Sequence, residues 1–127
     1  MLNDIKVLVV DDNKLSLKIA NIILEKQKAT VSTCFTGTEA IIELKTKQYD
    51  VVLMDIQMPE LDGFATTHYI RNELKSNIPV IGITAHLLEE EEVKAREAGM
   101  NGYLGKPFDQ VELCEIIINS IGKINNQ

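Results

Sequence analysis

Five short apolar runs recur along the chain: Ile5–Val10, Thr30–Phe35, Val51–Met54, Val80–Ile83 and Gly102–Leu104. The first, third and fourth are almost unbroken Val, Ile and Leu, the pattern of strands covered on both faces in a parallel sheet. The last is too weak to stand alone. The stretches between them carry helical periodicity. In Lys14–Lys28, the residues Leu15, Ile19, Ile22 and Ile23 fall at i, i+4, i+7 and i+8 and make one apolar face, of the kind that packs on a core. Thr38–Lys47 carries Ala40, Ile41 and Leu44. Phe64–Lys75 opens just after Gly63 and is expected to run to Asn77, ahead of Pro79. Leu87–Ala98 stops at Gly99, a residue suited to a left-handed helix end. Asp109 can cap a final helix whose Val111, Leu113, Ile116, Ile117 and Ile121 face inward. The tail Lys123–Gln127 is polar and is expected to fray. Strand and helix thus alternate five times, which predicts an α/β sandwich with right-handed crossovers.

Composition changes this picture only by exclusion. A chain of 127 residues suits one domain spanning 1–127, with a core of about 4–122 ahead of the polar tail. Thirteen Lys and Arg against nineteen Asp and Glu give a net charge of -6. Such a surface repels a phosphate backbone, so direct nucleic-acid binding is not expected. No apolar run approaches the roughly 20 residues of a membrane span, and Asp4 stands where a secretory signal would be apolar. Cys34 and Cys114 each lie in an apolar stretch and read as buried free thiols of a reducing cytoplasm.

In an open parallel sheet, ligands bind beyond the carboxyl ends of the strands. The first run ends in Asp11-Asp12, the third in Asp55, the fourth in Thr84, and the fifth is followed by Lys106-Pro107. Four segments therefore deliver three carboxylates, a hydroxyl and an ammonium to one edge. Two carboxylates 4 Å apart repel by about 4 kcal/mol at an effective dielectric near 20. Lys106 offsets part of that, and the remainder calls for a hard divalent cation with oxygen ligands, for which Mg²⁺ fits. A metal beside a lysine and a hydroxyl can neutralise the charge spread over a transferring phosphoryl group. A carboxylate such as Asp55 can then act as nucleophile and become an aspartyl phosphate.

Four segments carry a family resemblance: VLVVDDN (7–13), YDVVLMDIQMPELDG (49–63), VIGITAH (80–86) and AGMNGYLGKPF (98–108). In this order and at these spacings the chain resembles the response-regulator receiver domain of two-component systems over nearly its whole length. The resemblance implies a doubly wound, flavodoxin-like three-layer sandwich with strand order 2-1-3-4-5 and helices split two and three between the faces. It implies that Asp11 and Asp12 hold Mg²⁺, Asp12 more directly, that Asp55 is the phosphoacceptor, and that the backbone carbonyl of Gln57 is a further metal ligand. Lys106, before a cis Pro107, is expected to contact a phosphoryl oxygen, and Thr84 and Tyr103 to form a switch pair. Gln57 and His86 stand where receivers tune hydrolysis of the phosphoryl group. The implied partner is a histidine kinase or histidine phosphotransfer domain, and neither nucleic acid nor membrane is contacted directly. Asn13, the DIQMP and ITAH strings and GM-x-x-YL-x-KP look most like the receivers of hybrid sensor kinases. No output domain is expected, and the setting is either a stand-alone regulator or, favoured by those strings, part of a hybrid kinase.

Taken singly, each residue has a plainer reading. Asp11 and Asp12 can cap the first helix, Asp55 and Asp62-Gly63 can be turn residues, and Thr84 a solvated strand end. Lys106 can be a surface lysine, Tyr103 a core-edge aromatic, His68 structural or solvated, and Glu89–Glu92 an exposed helix start favoured by the dipole. Convergence on one edge weighs against this for the site residues. A dinucleotide-binding or P-loop reading lacks its glycine motif, and an acidic pair after the first strand would repel a flavin phosphate. A small Mg²⁺-dependent phosphatase with an aspartyl-phosphate intermediate shares the acidic edge and is the enzyme alternative.

Overall fold

The computed structural model describes the backbone of residues 2–125 and the side chains of residues 2–122. Its elements in order are β1 (Lys6–Val10), α1 (Lys14–Lys26), β2 (Thr30–Cys34), α2 (Gly37–Thr46), β3 (Val51–Asp55), α3 (Gly63–Asn72), β4 (Val80–Thr84), α4 (Glu89–Ala98), β5 (Gly102–Gly105) and α5 (Gln110–Asn125). All strand pairs are parallel and the sheet order is β2-β1-β3-β4-β5, as expected. The strands stop within a residue of the predicted runs. β3 and β4 are buried at every position, which is why their apolar runs do not alternate.

Two cores flank the sheet. On one face Val7, Val9, Leu53, Ile81 and Ile83 pack against Leu17, Ala20 and Leu24 of α1 and Leu113, Cys114 and Ile117 of α5. On the other, Leu8, Val10, Val52, Met54 and Val80 meet Ala40 of α2, Ile70 of α3 and Ala95 of α4. Both cysteines are buried free thiols, and burial pushes Cys34 up to about 12, with Glu39 and Glu43 adding to the effect.

Side chains set most helix starts. Asn13 accepts from the Ser16 N–H, Thr36 from the Glu39 N–H, Asp62 from the Ala65 N–H and Asp109 from the Glu112 N–H, at 2.8–3.0 Å. The first of these removes the capping explanation for Asp11 and Asp12. Asp62-Gly63 is a helix start rather than a free turn. A Cβ on Gly63 would lie 2.5 Å from the Asp55 carbonyl oxygen, so only glycine lets α3 begin so close beneath β3. α4 ends at Gly99, φ 100°, as predicted.

Three expectations are corrected. The arc Leu15, Ile19 and Ile22 of α1 is 66%, 47% and 46% exposed, and the core takes Leu17, Ala20 and Leu24 instead, with Ile23 packed at its margin. Val111 is likewise exposed, while Leu113 and Ile117 carry the α5 core. α3 ends at Asn72, not Asn77, because the chain turns with Lys75 at φ 55° and Arg71 holds the Ser76 carbonyl at 3.0 Å. Of the tail expected to fray, the backbone of 123–125 continues α5 and the last two residues lie outside the described residues. Among the described residues no helix is long and apolar enough to cross a membrane.

Candidate functional site

Strand register assembles the edge. Val10 pairs with Met54, so Asp11, next along, lies beside Asp55 at the end of β3. Asp55 pairs with Ile83 and Thr84 with Gly105, which leaves Lys106 one step past the neighbouring strand. One carboxylate oxygen from each of Asp11, Asp12 and Asp55 lies within 4.8 Å of the others. Asp11 and Asp55 are buried, Asp12 exposed.

Hydrogen bonds orient this cluster. Asp11 Oδ1 accepts from the Asn13 N–H at 2.9 Å, and Asp11 Oδ2 from Lys106 Nζ at 2.9 Å. Lys106 also reaches Ser16 Oγ at 3.4 Å. Asp55 Oδ1 accepts from the Gln57 N–H at 3.3 Å. Burial, then the Asp11 charge, pushes Asp55 up to about 7, against the pull of Lys106 and the Gln57 N–H. The Lys106-Pro107 peptide is cis, as the sequence suggested. A cleft of about 290 Å³ between α1 and the β5–α5 segment opens on Asp55, Asp11 and Lys106 and is walled by Ile19, Ala20 and Phe108.

Thr84 is fully buried at the end of β4, and its hydrogen bonds run away from the acidic cluster. The hydroxyl donates to the His86 carbonyl at 3.0 Å or Glu91 Oε1 at 3.3 Å and accepts from the His86 N–H at 3.1 Å. Tyr103 Oη donates to the same two acceptors, Glu91 Oε1 at 3.0 Å and the His86 carbonyl at 3.3 Å. The structure therefore joins Thr84 and Tyr103 through shared partners, and among the described residues neither hydroxyl is hydrogen-bonded to Asp55. His86 enters through its backbone, and its side chain, like that of Gln57, is exposed. His68 lies on α3 beside Asn72 and takes no part in the edge.

Two participants carry no distinguishing signal in the sequence. Gly63 is visible only once α3 is seen to start against β3. Glu91 was hidden in a run of four glutamates; the structure turns it inward while Glu89, Glu90 and Glu92 stay exposed.

Hard carboxylate oxygens around one point suit a small divalent ion. Oxygens on an octahedral Mg²⁺ lie about 3 Å apart when adjacent and about 4.2 Å apart when opposite, so a set within 4.8 Å is somewhat wider than the ion requires and would draw in to hold it.

Comparison with known proteins gives a consistent result. The family model for the response regulator receiver domain matches residues 7–118. The hybrid signal transduction histidine kinase L of Dictyostelium discoideum is 35% identical over 128 residues, covering 95% of this chain and 7% of that protein. The signal transduction histidine-protein kinase BarA of Escherichia coli (strain K12) is 35% identical over 113 residues, covering 88% of this chain and 12% of that protein. The chain thus spans a small part of the length of these relatives. Among solved structures, the receiver domain of sensor histidine kinase PA1611 from Pseudomonas aeruginosa PAO1 superposes with a TM-score of 0.85 at 33% identity, over 94% of this chain and 98% of that one. That structure holds a magnesium ion coordinated in its active-site cleft.

Proposed function

The chain belongs to the response regulator receiver family, and from that premise we propose that Asp55 accepts a phosphoryl group from a phosphohistidine donor. The observation that carries this is the placement of a buried carboxylate at the end of the central strand, with two further carboxylates within 4.8 Å and an ammonium bonded to one of them. An Asp55 carboxylate oxygen attacks phosphorus, the phosphorus–nitrogen bond breaks, and the electron pair stays on the departing imidazole. The donor's other ring nitrogen carries a proton, so the products are an aspartyl phosphate and a neutral histidine ring. Asp11, Asp12, Asp55 and the Gln57 carbonyl would hold Mg²⁺, whose positive charge would keep Asp55 ionised and shield the phosphoryl oxygens. Lys106, released from Asp11, neutralises another phosphoryl oxygen. The Thr84 hydroxyl then turns toward the new charge and Tyr103 follows, a shift between two conformations. Gln57 and His86, whose side chains are exposed at the rim, tune the slow hydrolysis that returns the domain to rest.

The exposed apolar arc of α1 bears on the donor. Exposed Leu15, Ile19 and Ile22 lie on the helix that walls the cleft opening on Asp55. A donor histidine has to reach that cleft, so a histidine kinase or phosphotransfer domain with an apolar face docks there. Buried free thiols and this signalling chemistry fit the cytoplasm. The chain works as a receiver and catalyses only its own phosphorylation and dephosphorylation; the family match weighs against the small phosphatase. Acetyl phosphate with Mg²⁺ tests the acceptor. Intact mass spectrometry is expected to show one phosphoryl group, absent from Asp55→Asn, and a phosphoryl group retained by that variant would overturn the assignment.

A further inference from the structure

We propose that Glu91 is a positioning residue, whose carboxylate holds Thr84 and Tyr103 in the resting arrangement and must release them for the domain to switch. The inference rests on the reading of those two residues as the switch pair.

The geometry is a set of donors and acceptors shared by the two hydroxyls. Thr84 and Tyr103 each carry one hydroxyl proton, and the cluster offers two acceptors, the His86 carbonyl and Glu91 Oε1. In one assignment Thr84 donates to His86 and Tyr103 to Glu91, both at 3.0 Å; in the other the pairs cross, both at 3.3 Å. The shorter pairing has Tyr103 donating to Glu91 and Thr84 to the His86 carbonyl, and Glu91 Oε1 lies within reach of both hydroxyls. A bond to a carboxylate is stronger than one to a neutral carbonyl, so Glu91 is the firmer of the two holds. Burial, together with the Glu91 carboxylate, raises the Tyr103 pKa above its ordinary value and keeps that phenol a donor.

Placement agrees with this role. The N-cap of α4, Leu88, provides no side-chain cap. Of the four glutamates in its first turn, Glu91 alone is drawn from solvent, one turn before buried Ala95 on the same face. The carboxylate thus ties the start of α4 to the ends of β4 and β5. A phosphoryl group on Asp55 offers the Thr84 hydroxyl a competing anionic acceptor on the other side. The resting state is held against that competitor by Glu91, and the contest sets how readily the domain switches.

The test is NMR of wild type, Glu91→Gln and Glu91→Ala, with and without beryllofluoride as phosphoryl mimic. In wild type, Tyr103 and residues around Thr84 are expected to move when beryllofluoride binds. In ligand-free Glu91→Ala the same signals should lie part-way along that path, with Glu91→Gln between. Phosphorylation by acetyl phosphate should speed up about tenfold to a hundredfold in Glu91→Ala, the scale of one hydrogen bond to a charged acceptor. The effect should shrink in a Tyr103→Phe background, which already lacks the bond. Ligand-free Glu91→Ala signals at wild-type positions, or displaced away from the beryllofluoride state, would overturn the proposal, as would a lowered melting temperature with no such displacement. A wild-type Tyr103 signal indifferent to beryllofluoride would instead remove the switch reading itself.

Discussion

Lys106 Nζ lies 2.9 Å from Asp11 Oδ2, so the ammonium of the last strand is bonded to the acidic residue of the first rather than to Asp55. The pair is mostly shielded from water. Lys106→Ala leaves three clustered carboxylates without their nearest cation. The metal-free variant should lose about 1–3 kcal/mol of stability, the range for breaking a partly buried charged pair. Mg²⁺ should recover more stability in the variant than in wild type. Beryllofluoride should still bind Lys106→Ala with a reduced response at Tyr103; unchanged metal-free stability and a wild-type Tyr103 response would show Lys106 to be a surface lysine.

Asp55 gives the metal-free protein a pH signature. Its pKa is pushed up to about 7, whereas an unfolded aspartate titrates near about 3.9. Between those values the native state holds a proton that the unfolded state has lost, so stability falls as pH rises through the window and levels off above about 7. Asp55→Asn should lack this component of the slope. Urea midpoints measured from about pH 4.5 to 8 in chelator decide it; parallel curves for the two proteins would refute the assignment.

Mg²⁺ should raise the melting temperature by binding only the native site. At free Mg²⁺ ten times Kd the gain is about 1.4 kcal/mol. Binding should weaken as pH falls below about 7, because Asp55 must release a proton to join the ligand set. Asp12→Ala should abolish the thermal shift and leave the metal-free protein as stable as wild type or more so. A full Mg²⁺ shift in that variant would exclude Asp12 as a ligand.

Lys28 follows α1 in the left-handed region, φ 75°, a conformation that costs a lysine but not a glycine. Lys28→Gly should stabilise by about 0.5–1 kcal/mol, the left-handed penalty less the entropy of the freer unfolded chain. Since Lys28 lies just before the start of β2, at the edge of the sheet opposite the strand ends that carry Asp55, phosphorylation rates should not change. Equilibrium urea denaturation measures the gain, and a loss of stability would mean that the lysine side chain contributes more than its backbone costs.

The sequence by itself determined the strands, their order of chemistry and the edge they share. Continuous Val, Ile and Leu in Val51–Met54 and Val80–Ile83 mark strands buried on both faces. Whatever follows such strands reaches the same edge, so Asp11, Asp55 and Thr84 are legible in the sequence, and Lys106, behind a weaker run, only in their company. Periodicity could not choose a buried face where a helix has two. On α1, Leu15–Ile19–Ile22 and Leu17–Ala20–Leu24 are both apolar at helical spacing, and only packing against the sheet and α5 decided that the second arc enters the core. The end of α3 was likewise decided at a distance, by Arg71 reaching the carbonyls of Ser76 and Gly99. Glu91 is the sharpest case. Nothing local separates it from its three neighbours, and its bonds to Thr84 and Tyr103 exist only because β4, α4 and β5 converge. Hydrophobic pattern and strand-end chemistry are written locally, whereas the choice among equivalent faces and the partner of a given carboxylate are properties of the assembled core.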